Sequence, residues 1–297
     1  MKQQSVETEE DWGDKYGINP PKWLNEHPAI VRRGVVVDQL LRHFHVYQTA
    51  WFVDPGIIVK IPRPDTHEIS FYRELQKDPE SRNYIMPCEI VDDEKHPLMI
   101  FPIVSVIYAQ QHAFRWPWSR VLKYYDDMLQ TVTFLHHRRI AHMDIAMDNF
   151  LFSDKDEVLF GQQMHADRPY IIDFERSRQL PLGPGLQPPI DLPPSIIPKP
   201  GGIIRRDPYS WDMYCLGWSF YHVYEVNLYR AKSLAPRLVT WYFEWVRGKA
   251  DCPCPKICSC RPDAHRARYV LFGVRFLVHL LELTDGIFCY TARLFRA

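Results

Sequence analysis

The sequence predicts an α+β chain in which a small, strand-rich part precedes a larger, mainly helical one. Before about residue 108 the apolar residues come in short β-branched runs separated by turn signals. Beyond it they recur at helical spacing. With 297 residues and 46% hydrophobic content, the chain can bury a sizeable core as one large domain or two ordinary ones. A polar, loosely ordered leader is expected over residues 1–28, the strand-rich part over 29–108 and the helical part over 109–297.

The elements follow in order. Val35-Val36-Val37 and residues 45–53 are β-rich, and Asp54-Pro55-Gly56 turns the chain into a strand over 57–61. That strand carries Lys60 between Ile57, Ile58, Val59 and Ile61. Such a lysine is either a surface residue of an edge strand or a partly buried, ion-paired one. The helix that follows has Ile69, Tyr72 and Leu75 on one stripe. Glu68 stands one turn before Tyr72 on the apolar side, which makes it the candidate partner of Lys60; Glu74 is its competitor. The other reading of Glu68 is a charge favouring the helix N-terminus. Residues 98–104 form another strand.

In the second part, Val121, Leu122, Tyr125, Met128, Leu129, Val132 and Leu135 mark a helix running to His136-His137. The paired histidines could bind metal there, but favourable contact with the helix dipole is the preferred reading. Residues 179–200 hold eight prolines and can be neither helix nor central strand. An extended loop across a helical lobe is expected over 176–208, then helices over 209–218, 234–246 and 264–283. Residues 269–281 contain Arg275 and His279 and are too short to span a bilayer, so a packed helix is expected.

Composition narrows the partners. A formal net charge of zero gives no overall field for nucleic acid or anionic membrane. The acidic N-terminus lacks the apolar core of a signal peptide, so an intracellular protein is expected, cytoplasmic by default with the nucleus left open. Seven cysteines without a secretory signal do not suggest a disulfide framework. Cys252, Cys254, Cys258 and Cys260, in the loop 250–261, could enclose zinc. Their C-x-C arms are tighter than a C-x2-C knuckle, and thiols that bind no metal are the preferred reading.

Chemistry concentrates between His142 and Phe152. A short polar loop there places Asp144 five positions before Asn149, at the start of an apolar strand. Just downstream, Tyr170-Ile171-Ile172 is a second apolar strand ending on Asp173. Two acids and an amide at strand edges can bring a general base and hard metal ligands to one point, as nucleotide- and magnesium-dependent phosphoryl transfer requires.

The order of these features resembles the eukaryotic protein-kinase fold over roughly residues 30–285: two lobes, the first small and β-rich, the second larger and mainly helical. His142-Met143-Asp144 with Asn149 resembles the catalytic loop, Asp173-Phe174-Glu175 the D-F-G position and Val59-Lys60 the strand lysine. Asp212 with Leu216 and Gly217 resembles the D-x-x-x-L-G helix, and Arg261-Pro262 the R-P pair of a late helix. The wording D-P-Y-S-W-D and C-x-C-R-P is similar to divergent kinase-like proteins of fungi. The resemblance implies ATP and magnesium as cofactors, with Lys60, fixed by Glu68, on the α- and β-phosphates. It implies Asn149 and Asp173 as magnesium ligands, Asp144 as the base for the substrate hydroxyl, His142 and Phe174 as packing residues and Asp212 as the loop anchor.

The departures from the family pattern bear on activity. No G-x-G-x-x-G precedes Lys60, Met143 replaces the arginine before the catalytic Asp, and Ala146 stands where many Ser/Thr kinases carry a lysine. Glu175 replaces the D-F-G glycine, a D-[FW]-E wording that resembles small-molecule phosphotransferases of the aminoglycoside- and choline-kinase type. Three readings therefore stand: a protein kinase acting on Ser/Thr, a pseudokinase scaffold with weak or no nucleotide binding, and a small-molecule phosphotransferase. An unidentified protein substrate is expected as partner, with no nucleic acid and no membrane.

Overall fold

A computed structural model describes residues 19–41, 45–50, 52–104, 116–230, 234–248 and 260–294. The protein is mixed α and β. The chain divides into two compact units. One consists of Met1–Arg82, Met86–Val104 and Val158–Gln163, the other of Asn83–Ile85, Ser105–Glu157 and Met164–Ala297. Among the described residues no helix is long and apolar enough to cross a membrane.

In the first unit, helices α1 (Lys22–Glu26) and α2 (Pro28–Val31) lead into strands β1 (Val37–Leu40), β2 (Val46–Thr49) and β3 (Ile57–Lys60). Helix α3 (Glu68–Gln76), β4 (Glu89–Val91) and β5 (Leu98–Pro102) follow. The five strands form an antiparallel sheet in the order β1-β2-β3-β5-β4. Successive residues of a strand point to opposite faces. Ile57 and Val59 of β3 accordingly join Val37, Tyr47, Leu98 and Ile100 in one core, which Leu24, Ala29 and Ile30 close from α1 and α2. The leader expected over residues 1–28 thus gives way to structure by Lys22. Leu24 is fully buried, and the Asn25 amide both donates to the carbonyl and accepts from the N–H of Val37, each at 2.9 Å. The strand expected at Val35 starts at Val37 instead, with Val36 exposed.

Ile58 and Lys60 face the other side of the sheet. There Ile58 pairs with Phe101, and the Phe101 ring meets Tyr72 of α3 edge-on at 5.6 Å. Helix α3 buries Glu68, Phe71, Tyr72 and Leu75. Lys60 and Glu68 are thereby delivered to the same side of the sheet.

The second unit is built on α4 (Trp118–His137), α5 (Pro208–Arg230), α6 (Leu234–Arg247) and α7 (Ala264–Leu294). All seven apolar positions read from α4 are buried. Tyr125 is enclosed by the rings of Phe220, Phe243 and Tyr242 at 4.3, 5.0 and 5.8 Å. Each such ring contributes about 1.5–3 kcal/mol through burial alone. Gly217 lets α5 approach α6: a Cβ there would lie 2.7 Å from the Arg247 nitrogen, a contact only glycine avoids. Arg268 and Arg275 tie α7 to α4 through Asp126, at 3.1 and 2.7 Å. Among the described side chains of α7, Tyr269, Phe272, Phe276, Leu280 and Leu283 are exposed.

Short ladders hold the loops between α4 and α5. Ile140–Ala141 pairs with Arg178–Gln179, and Phe150–Leu151 with Tyr170–Ile171. Ile171 also bridges Ile85 and donates its N–H to the Tyr84 carbonyl at 2.8 Å. In the proline-rich segment, Ile190–Asp191 pairs with Arg205–Arg206.

Candidate active site

Lys60 and Glu68 lie in the first unit. The Lys60 ammonium lies 2.8 Å from one Glu68 oxygen and 2.7 Å from the other. Glu68 is fully buried, the Lys60 side chain is 12% exposed, and Glu74 points outward. A buried ion pair costs about as much in desolvation as its attraction returns, so it is a poor device for stability. Its value lies in fixing one cation in one place.

The loop that begins at His142 lies in the second unit, and its geometry starts from Asp212. Asp207 opens α5: its carboxylate accepts from the N–H groups of Tyr209 and Ser210 at 3.0 and 3.3 Å, and Pro208 takes the first helical position. That start places Asp212 in the second turn, fully buried. Its Oδ2 accepts from the N–H of His142 at 2.9 Å and its Oδ1 from that of Met143 at 2.8 Å. His136 Nε2 completes the set at 2.9 Å from Oδ2. Trp211 donates its indole N–H to the Met143 carbonyl at 3.2 Å.

Met143 is thereby held at φ 67°, a left-handed conformation that is uncommon without glycine. His142 is buried against the Phe174 ring at 5.2 Å, and its Nε2 donates to the Ile172 carbonyl at 3.0 Å. His136 was expected as a dipole contact at the helix end; it is instead a buried partner of Asp212.

This scaffold presents Asp144, whose side chain is 16% exposed. Its neighbours are the Arg176 guanidinium, 3.5 Å from Oδ2, and the Ser195 hydroxyl, 3.3 Å from Oδ1. Burial raises the Asp144 carboxyl above its ordinary value; Arg176 and His142 oppose that and Asp173 adds to it. Asn149 donates its amide to the Asp144 carbonyl at 2.8 Å, which turns its amide oxygen outward from that bond. The Asn149 carbonyl accepts from the N–H of Ile172, one residue before Asp173. Asp173 takes φ 66° and begins the turn Phe174–Arg176, in which Phe174 is fully buried. The Asn149 amide oxygen and the Asp173 carboxylate are hard oxygen donors, the kind magnesium selects.

No family model and no curated protein matches the chain. Of the remaining candidates, Cys252, Cys254 and Cys258 lie outside the described residues. Sequence reasoning gave no role to three residues around the loop: Trp211, Arg176 and Ser195. Trp211 has a usable signal in its burial-prone type. Arg176 and Ser195 lie in an aperiodic segment that offers none.

Proposed function

We propose that the chain is an ATP-dependent phosphotransferase of protein-kinase type, two-lobed, transferring the γ-phosphate to a Ser or Thr hydroxyl. The observation that carries this reading is Asp144, a partly exposed carboxylate on a loop whose backbone is clamped by the buried Asp212. Phosphoryl transfer asks for positioning and charge neutralisation more than for covalent chemistry. In this reading Asp144 orients the acceptor hydroxyl and takes its proton. Asn149 and Asp173 supply oxygen ligands for magnesium. Lys60, held by Glu68, neutralises the α- and β-phosphates. Bound Mg-ATP supplies the electrophilic phosphorus.

The absence of a glycine-rich loop and the presence of Ala146 favour a second reading, a pseudokinase scaffold with weak or no nucleotide binding. A thermal shift with Mg-ATP, followed by radiolabelled transfer in wild type and Asp144→Asn, separates the two. Loss of the base should lower transfer by about 10²–10⁴. A shift without transfer favours the scaffold, and no shift at millimolar ATP removes the phosphotransferase reading.

A further inference from the structure

Helix α7 carries two seams. Ala264, Ala267, Leu271, Val274 and Val278 recur at steps of three and four residues and are buried, on the side held to α4 and α6. Asp126 of α4 pairs there with Arg268 and Arg275, and the Tyr242 hydroxyl of α6 donates to the Ala267 carbonyl at 2.9 Å. A second set, Tyr269, Gly273, Phe276, Leu280 and Leu283, keeps the same steps and is exposed. In sequence the steps continue at Ile287, Tyr290 and Leu294. Spacing of this kind, sustained over three heptads, belongs to a helix that packs against another helix. The outer seam carries no carboxylate. The one acid between residues 264 and 284 is Glu282, which accepts the N–H of Ser119 at the start of α4 at 3.3 Å.

We propose that the outer seam of α7 docks on the same seam of a second copy of this chain, the two helices antiparallel and Gly273 of each against Phe276 of the other. Gly273 decides both the occupant and the direction. Glycine is a poor helix former, and a Cβ at Gly273 would meet nothing within 4 Å, so packing within the chain does not ask for it. It leaves a gap in the middle of the apolar face, one turn from Phe276. A bilayer surface has no use for such a gap, whereas a facing helix fills it with a large side chain, as interdigitating layers require. A two-fold axis between positions 273 and 276 sets the small residue against the large one twice, and Tyr269 against Leu280 twice. Parallel pairing would set glycine against glycine and leave a void. The area suffices. Tyr269 is 80% and Phe272 78% exposed, with Phe276, Leu277, Leu280 and Leu283 around them. Aromatic side chains of this size carry about 150–250 Å² each, so these six leave on the order of 700 Å² open on each copy. Covering most of it on two copies removes about 1,200–1,400 Å², within the range of specific protein interfaces.

The test measures the mass of the full chain by sedimentation velocity across a dilution series. The expected result is a dimer at micromolar concentration that dissociates on dilution. Phe276→Glu should raise the dissociation constant by about 30-fold or more, as loss of a central aromatic anchor does. Tyr269→Lys should act in the same direction, and both variants should keep the thermal midpoint and circular dichroism of the monomer, because these side chains lie outside its core. Gly273→Phe adds apolar surface yet should weaken the dimer, and the swap Gly273→Phe with Phe276→Gly should restore it. A monomer at every concentration overturns the inference, as does a dimer indifferent to Phe276→Glu and Tyr269→Lys. A tighter dimer in Gly273→Phe overturns the antiparallel pairing. A monomer that floats with phosphatidylcholine–phosphatidylserine vesicles and loses them in Phe276→Glu overturns the second copy as occupant. None of these outcomes bears on the phosphotransferase reading, which is judged by Mg-ATP alone.

Discussion

Asp212 and Asp144 lie close together along one polar network, yet their surroundings divide the work of the second unit between them. Asp212 is fully buried, and its two oxygens accept from two backbone N–H groups and a histidine. Asp144 keeps part of its surface in solvent and meets one guanidinium at 3.5 Å and one hydroxyl at 3.3 Å. A carboxylate whose acceptor capacity is consumed by the backbone fixes a shape. One held less tightly retains capacity for a proton. Lys60 and Glu68 repeat the division on the other unit, where the fully buried acid holds the less buried cation.

If that division holds, removing the anchor should have the largest effect on stability. Asp212→Ala leaves His136 and two backbone N–H groups unsatisfied inside the protein, and should cost about 3–5 kcal/mol in urea unfolding. A loss below about 1 kcal/mol would mean the loop is clamped by something else. Next comes Lys60→Met, which strands the buried Glu68 carboxylate and should cost about 3 kcal/mol. The double variant with Glu68→Leu should recover much of it, as a double-mutant cycle would read. Asp144→Asn should change stability by less than about 1 kcal/mol in the same assay, despite its large effect on transfer.

The smallest effect is in pH. Burial raises the folded-state Asp144 carboxyl above its ordinary value. A raised carboxyl contributes stability that is present below its unfolded value and is lost as pH rises through the folded one. The stability of Asp144→Asn relative to wild type should therefore improve as pH climbs from about 3 to 7. Transfer should move the other way, failing in acid once Asp144 is protonated, at a pH above that of an ordinary aspartate. Urea midpoints and a pH-rate profile measure the two limbs. A stability difference flat with pH would place Asp144 in ordinary solvent.

Much of this was legible from residue patterns because it depended on periodicity. Alternation along β3 puts Lys60 opposite the Ile57 and Val59 face, and helical spacing selects Glu68 over Glu74. The seven buried positions of α4 follow from spacing alone. The contacts of Asp144 were not legible, because Arg176 and Ser195 reach it from a segment whose path is set by tertiary contacts rather than by local repeats. His136 was misread for a related reason: a helix end looks solvated in sequence, and only the arrival of α5 encloses it. The extent of α7's exposed face was likewise hidden, since an amphipathic pattern with apolar residues on both sides does not say which side is covered.

The short bridge from Ile85 to Ile171 carries a practical consequence. The chain passes from one unit to the other after Arg82, Ile85, Val104, Glu157 and Gln163. No single cleavage can therefore release either unit whole. A fragment ending at residue 104 takes with it Tyr84 and Ile85, which pair with Ile171 two residues before Asp173. The remainder would keep every acid of its loop and lose an edge that holds one of them in register.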